Sequence, residues 1–120
     1  MKILNLTQHP ASPEQVAAGV INLSEGKKTR LVGLITFDTL PNAEEINTRA
    51  QAVAALVAGM PEKYTRAMIG GAPFFMGALE SALMEISVIP MYAFSRRVIE
   101  ESTDGSEKKV FFKHEGFVLI

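Results

Sequence analysis

Short apolar runs typical of strands alternate with capped helix patterns along this chain, and this alternation restricts the possible folds more than any other feature. The strand patterns lie at Ile3–Leu6, Val20–Leu23, Leu31–Phe37, Ala67–Ile69 and Val88–Phe94. Strands that alternate with helices favour a mostly parallel sheet with helices on both faces. The sequence therefore predicts an α/β fold with a Rossmann-like, mostly parallel sheet.

Two of the predicted helices begin with the spacing of a capping box. Ser12 can cap a helix whose first residue is a proline, and Gln15 stands where the second member of the box belongs. Asn42 and Glu45 repeat that spacing at the start of a helix over 43–57. The apolar residues of this second helix fall on one stripe, as a packed face requires: Ile46, Ala50, Val53, Ala54 and Val57.

The remaining connections have their own signals. Ser24–Lys28 is predicted to be a solvated loop. Pro90 predicts a kink, a bulge or an exposed edge, because proline cannot donate a ladder hydrogen bond. Asp104-Gly105 separates alternating segments at Arg97–Glu101 and Lys109–Leu119, which is typical of a β-hairpin. We expect this C-terminal antiparallel β-hairpin to lie at one edge of the sheet.

Length and composition exclude several classes of protein. A chain of 120 residues predicts one domain over 1–120. It has no cysteine, which excludes disulfide scaffolds and thiolate metal sites. Twelve basic residues against 13 acidic ones give no general attraction to long nucleic acids or membranes. With no long apolar segment and a start that soon becomes polar, we expect a cytoplasmic protein with no membrane partner.

Three polar segments follow predicted strands at their carboxyl ends, where open α/β sheets bind ligands. The candidate ligand-binding residues are Thr7, Gln8, His9, Gly70, Gly71, Ala72, Pro73, Ser95, Arg96 and Arg97. The Gly70–Pro73 turn opens a nearly apolar helix predicted from about Phe74 to Ile86, and backbone amides at such a helix start favour an anion. A tight turn without a ligand is the alternative. No dinucleotide fingerprint or P-loop is complete, so no cofactor is expected.

Individual side chains in these segments allow more than one interpretation. Adjacent strand residues point to opposite faces, so only one of Arg96 and Arg97 can reach a pocket, and a solvated pair is the alternative. Ser95 can bind phosphate or satisfy a turn. His9 can act as a base or polar contact, or be fixed by a backbone carbonyl. His114 is interpreted as structural or interfacial. No metal site is expected, and no residue is assigned a catalytic role.

Large apolar side chains exceed what one small sheet needs. Met68, Phe74, Phe75, Met76 and Met84 are expected in the core, unless the face with Phe74, Phe75 and Met76 is exposed and forms a dimer surface. Three more phenylalanines lie in the predicted hairpin. This surplus predicts a homodimer.

The C-terminal half carries a family resemblance. After the Gly-Gly turn come Tyr92-Ala93-Phe94-Ser95-Arg96-Arg97, the Asp-Gly hairpin and Val110-Phe111-Phe112-Lys113-His114-Glu115-Gly116-Phe117-Val118. This order resembles the small single-domain CRISPR-associated proteins with a CRISPR-associated Rossmann (CARF-type) fold, including ring-nuclease-like members. Their typical strands read Tyr-Ala-Thr-x-Arg and Phe-Lys-His-x-x-Phe. The resemblance covers residues 66–118 well and residues 1–60 in outline, and Phe94-Ser95 departs from the family pattern.

The resemblance implies a homodimer that binds a cyclic oligoadenylate across its two subunits and in some members cleaves it to end an antiviral signal. By position, Gly70 and Gly71 would hold phosphate, and Ser95 with Arg96 or Arg97 would contact phosphate or ribose. Residues 7–9 would line the base or ribose. In cleavage the ribose 2′-hydroxyl would attack, with no metal required. The alternative is a non-enzymatic interaction or nucleotide-sensing module. An enzyme using a nucleotide cofactor is the weakest hypothesis, because the cofactor fingerprint is incomplete.

Overall fold

The computed structural model describes residues 1–120 and contains five strands and four helices. In chain order they are β1 (Ile3–Leu6), α1 (Pro13–Ala17), β2 (Val20–Ile21), α2 (Glu25–Ile35), α3 (Ala43–Ala58), β3 (Arg66–Ile69), α4 (Pro73–Glu85), β4 (Ile89–Glu101) and β5 (Lys108–Leu119). None of the four helices combines the length and the apolar character that crossing a bilayer requires.

The strands form one sheet in the order β2-β1-β3-β4-β5. β1 pairs in parallel with both β2 and β3, and β3 pairs in parallel with β4. Only the β4–β5 pairing is antiparallel. The predicted α/β fold, with a mostly parallel sheet and a C-terminal hairpin, is therefore confirmed. The chain extends the sheet first to one side of β1 and then to the other, which makes the β1/β3 boundary its topological switch point.

The prediction of a strand at Leu31–Phe37 and of a loop at Ser24–Lys28 is wrong, because α2 spans Glu25–Ile35, with Ser24 as its N-cap and Thr36 as its C-cap. The first helical hydrogen bond runs from the Lys28 amide to the Ser24 carbonyl. Leu31 and Ile35, four residues apart, are both buried, so one face of the helix packs on the core. The β-branched residues suggested a strand, but packing against α3 decides the conformation.

α1 and α3 begin where their capping signals place them, and α4 begins at Pro73, next to its predicted start. Ser12 and Gln15 form the reciprocal capping box of α1. The Asn42 side chain accepts a hydrogen bond from the Glu45 amide, but the Glu45 carboxylate turns to Arg49 and does not complete the box. Of the predicted stripe on α3, all but the half-buried Ile46 are fully buried. α4 spans Pro73–Glu85, close to its predicted bounds.

The two faces of the sheet are unequally covered. On one face α2, α3 and α4 pack over β1 and β3, forming a cluster of 18 buried apolar residues. On the other face the buried cluster has four members, Ile3, Val20, Met68 and Met91, and Ala11 ahead of α1 packs against it. One face of the sheet therefore holds most of the core.

The proposed dimer face on α4 is largely internal. Phe75 and Met76 are buried, and Phe74 is half-exposed with its ring edge against Phe37 at 5.1 Å between centroids. Met84 is also half-exposed. The expectation of core positions therefore holds for Met68, Phe75 and Met76 only.

β4 runs without interruption through both segments that the sequence suggested as separate strands. Pro90 is buried and pairs with Ala67 of β3, so it lies inside the sheet and not at an exposed edge. The Pro90 carbonyl accepts a hydrogen bond of 3.3 Å from the Ile120 amide. Ile120 lies beyond the end of β5, so the missing N–H of Pro90 removes no hydrogen bond from the β4–β5 pairing. The irregularity in the β4–β5 pairing falls later, between Phe94 and Ser95.

The C-terminal hairpin projects from the rest of the molecule. Ser95–Glu101 and Lys108–His114 are paired only with each other, and nearly all of their residues are exposed. We call this two-stranded segment the arm. Gly105 at its tip has φ +73°, as the predicted Asp-Gly turn requires. A compact chain of this length has a radius of gyration of about 14 Å, whereas this protein has 16.5 Å because the arm extends it to 55 Å.

Candidate functional site

An open cleft of about 360 Å³ lies at the carboxyl ends of β1 and β3, beside the first part of β4 and at the switch point of the sheet. Its lining comes from four segments: Thr7, Gln8, His9, Pro10, Gln15, Met68, Ile69, Gly70, Gly71, Tyr92 and Ala93. None of these residues is Lys, Arg, Asp or Glu. The cleft is therefore built from backbone groups, neutral polar side chains and a few apolar surfaces.

Asn5 holds the loop after β1 in place. Its side chain is almost fully buried, and its Oδ1 accepts hydrogen bonds from the Thr7 amide at 2.9 Å and the Thr7 hydroxyl at 2.8 Å. Its Nδ2 donates to the His9 carbonyl and to Asn22 Oδ1, both at 2.8 Å. Asn22 Oδ1 also accepts from the Ala11 amide. This network fixes the backbone that forms one wall of the cleft.

The second wall is the turn from β3 into α4. Gly71 has φ +147°, a conformation that residues with a side chain rarely adopt. The backbone amides of Gly71, Ala72 and Phe74 donate to no backbone or side-chain acceptor, while Pro73 has no N–H. No side chain caps the helix start either. The turn thus presents three uncommitted donors at the positive end of the α4 dipole.

Tyr92 lines the cleft from β4, and its hydroxyl donates a 2.5 Å hydrogen bond to Glu80 Oε2 on α4. Burial is the main cause that raises the pKa of the Tyr92 phenol, and the Glu80 carboxylate raises this pKa further. The ionised phenolate would lose this donor and face a carboxylate. Tyr92 therefore stays neutral and anchors the β4 side of the cleft to α4.

The two tyrosines provide a direct check on these environments. Burial also raises the pKa of Tyr64, helped by its hydrogen bond to Glu62. Raised folded-state pKa values contribute stability below the ordinary value of 10.0, and this contribution is lost as pH rises through the folded values. We expect phenolate absorbance to develop only above pH 10.0, and Tyr64→Phe to isolate the Tyr92 transition.

In Tyr64→Phe, the further change Glu80→Gln should lower the Tyr92 midpoint but leave it above the ordinary value, because burial is the larger cause. A Tyr92 transition at or below pH 10.0 in the folded protein would contradict the described environment.

The structure brings together two of the three predicted segments. Thr7, Gln8 and His9 line the cleft together with Gly70 and Gly71. Ala72 and Pro73 complete the turn and begin α4, but they do not line the cleft. Any role of these residues in ligand binding stays a prediction.

Ser95, Arg96 and Arg97 are not brought to the cleft. β4 continues past the level at which β1 and β3 end, so these residues lie in the arm, and β4 contributes Tyr92 and Ala93 to the lining instead. Arg96 Nε binds Glu115 Oε1 at 2.7 Å. Arg97 takes part in none of the four ion pairs of the chain.

The two histidines have different surroundings. The His9 side chain is exposed at the cleft, while its carbonyl accepts hydrogen bonds from Asn5 Nδ2 and, at 3.1 Å, the Thr7 hydroxyl. His114 pairs across the strands with Ser95 and lies edge-on to Phe117 at 4.9 Å between centroids. Its Nδ1 is buried without a hydrogen-bond partner. Only His9 is placed to contact a molecule in the cleft.

Sequence reasoning missed Asn5, Asn22, Gln15 and Tyr92 as parts of the site. The one available signal was the polar Asn5 within the apolar run Ile3–Leu6. A polar residue at a buried strand position requires hydrogen-bond partners, and here those partners form the cleft wall.

The sequence matches a family model described as "Uncharacterized protein MJ1673 family" over residues 1–118. The match includes every residue that lines the cleft. No curated protein and no solved structure matches the chain.

Proposed function

Because the chain belongs to the uncharacterized protein MJ1673 family, whose description names no activity, we propose a function from the cleft itself: the protein binds a nucleotide there. A phosphate group is held at the Gly70–Pro73 turn, and the base or ribose lies against Thr7, Gln8 and His9. The observation that carries this proposal is the turn itself: Gly71 lines the cleft, and the amides of Gly71, Ala72 and Phe74 make no hydrogen bond within the chain.

The phosphate position follows from the turn. Backbone N–H groups at a helix start bind phosphate because the donors converge and the helix dipole favours negative charge. Gly71 has no side chain, so a phosphate oxygen can approach the backbone closely. Pro73 occupies the first helical position and has no N–H that would need an acceptor. The neighbouring amides remain free to bind the phosphate.

The base and ribose positions follow from the rest of the lining. A volume of about 360 Å³ lies in the range of small-molecule sites. Gln8 and Gln15 offer amide groups that can pair with the edge of a base, and Met68 with Ala93 offers an apolar surface. A neutral polar lining suits the base and ribose of one nucleotide beside the phosphate at the turn.

The ligand class we propose is a cyclic oligoadenylate, bound across a homodimer of a CRISPR-associated protein. The support for this class is the resemblance of residues 66–118 to CARF-type proteins.

A nucleotide-sensing module that binds without cleaving is the second candidate. It is favoured by the lack of charged side chains in the lining, since cleavage of a phosphodiester needs stabilisation of developing charge. His9 is the lining side chain that can act as a general base. Cleavage, where it occurs, would use the ribose 2′-hydroxyl as the attacking group.

Calorimetry tests the proposal with cyclic and linear oligoadenylates, AMP, ATP and inorganic phosphate. We expect a cyclic oligoadenylate to bind, and Gln8→Ala to weaken its binding by roughly 3- to 10-fold, the value of one neutral hydrogen bond. Gln51→Ala, on the exposed side of α3, is the matched control and should bind normally.

Chromatography of the same mixtures separates a nuclease from a sensor. Linear products that appear without added metal would support cleavage, and an intact ring at saturation would support the sensor. A wild-type protein that binds none of the adenylates would remove the nucleotide proposal altogether.

A further inference from the structure

The arm carries apolar side chains on both of its faces and nothing in the chain covers them. Ile99 and Val110 are cross-strand partners and are 54% and 52% exposed. Phe112, opposite Arg97, is 70% exposed, and Phe111 lies on the other face at 40%. Successive strand residues alternate between faces, so each face of the arm carries apolar side chains among charged ones, and Ile99, Val110 and Phe112 share one face.

A hairpin of this kind needs a partner. A two-stranded hairpin in water is at best marginally stable without a third layer or a neighbouring strand. β5 is also the last strand of the sheet, so its outer edge has unpaired backbone groups along 12 residues. Exposed apolar surface joined to a free strand edge marks an interaction site.

The charges of the arm select the kind of partner. Residues 95–115 contain five basic and five acidic side chains, so this segment has no net charge. Glu100 and Glu101 face Lys109 and Lys108 across the strands. A neutral segment with both signs gives no attraction to nucleic acid or to an anionic membrane, but it is complementary to a copy of itself.

We propose that the arm is the contact between two copies of this chain, with the two arms packed on each other around a two-fold axis. The proposed function assumes a homodimer, and the present proposal names the surface through which the two subunits meet. It rests on the proposed function only for the assumption of two subunits. A two-fold contact uses the same patch on both chains, as the mixed charges allow.

The size of the arm agrees with this role. Its seven cross-strand pairs, from Ser95/His114 to Glu101/Lys108, give each face a length of roughly 23 Å at about 3.3 Å per residue. A stable interface must bury on the order of 1,000 Å² in total. The apolar centre of such a contact is formed by Ile99, Val110 and Phe112, which share one face of the arm and are each more than half exposed.

Analytical ultracentrifugation without nucleotide tests the arm. We expect the wild type to sediment as a dimer of about 26 kDa, twice the 13.1 kDa chain, at tens of micromolar. The double variant Ile99→Lys/Phe112→Lys should sediment as a monomer with an unchanged circular dichroism spectrum, because both side chains lie outside the core. Leu40→Lys, at an apolar residue 97% exposed away from the arm, is the matched control and should stay dimeric.

A shortened arm gives a second, independent variant. Replacement of residues 98–111 by Asn-Gly joins the opposed residues Arg97 and Phe112 through a two-residue turn. This variant should also be monomeric. A wild type that is monomeric throughout this concentration range, or arm variants that remain dimeric, would overturn the proposal. A dimer that binds no adenylate would refute the proposed function alone, and a monomer that binds one would refute the arm contact alone.

Discussion

Asn5→Ala is expected to destabilise the protein by roughly 3 kcal/mol, because it removes four partly buried hydrogen bonds made by one side chain, each worth about 0.5–1.5 kcal/mol. The Thr7 amide, the His9 carbonyl and Asn22 Oδ1 all lose a hydrogen bond at once. For a chain of this size the melting temperature should fall by about 10–15 °C. The loop over 7–11 should also lose its fixed conformation, and nucleotide binding with it.

Asn47→Ala is the matched control. Asn47 is exposed on α3 and makes no side-chain hydrogen bond, so its replacement should leave the melting temperature unchanged or raise it slightly. A loss in Asn5→Ala no larger than in Asn47→Ala would show that the network does not support the cleft.

Gly71→Val should remove ligand binding and lower stability by about 2–3 kcal/mol. A φ of +147° is accessible to glycine, and forcing a β-branched residue into such a region costs on the order of 1–3 kcal/mol or moves the turn. The cost comes from the backbone and not from a collision, since a Cβ here would meet Met76 Cε at an ordinary 3.6 Å. A displaced turn no longer aligns its free amides with a phosphate.

Gly77→Ala, inside α4, is the matched control, because here a side chain should stabilise the protein. A Cβ at Gly77 meets no atom within 4 Å, and alanine in a helix interior is favoured by roughly 0.5–1 kcal/mol over glycine. The melting temperature should therefore rise, and the ligand affinity measured by calorimetry should not change. Wild-type affinity in Gly71→Val would mean that the turn is not the phosphate site.

Local signals predicted much of this fold because local hydrogen bonds determine those features. Ser12 with Gln15 and Asn42 with Glu45 mark helix starts through bonds to amides three residues away. Gly71 and Gly105 stand where the backbone needs a positive φ. Each of these features depends on a few neighbouring residues, and the sequence displays all of them.

The errors concern features that depend on distant residues. The 25–35 segment contains residues suited to either a strand or a helix, and its packing on α3 decides between them. No glycine or proline interrupts β4 near Ser95, so the sequence does not show that Ser95, Arg96 and Arg97 lie beyond the cleft. Asn5 acquires its role only when β2 brings Asn22 alongside β1.

The strand order also limits when this protein can fold during synthesis. β1 lies at the start of the chain, but its inner neighbour is β3, and Leu4 pairs with Ala67. Closing so long a loop has an entropic cost that only the completed pairing repays. The apolar residues of β1 therefore cannot pair with β3 until the ribosome has released the chain through Ile69. The cleft is made from the ends of the same two strands, so it cannot exist before the centre of the sheet does.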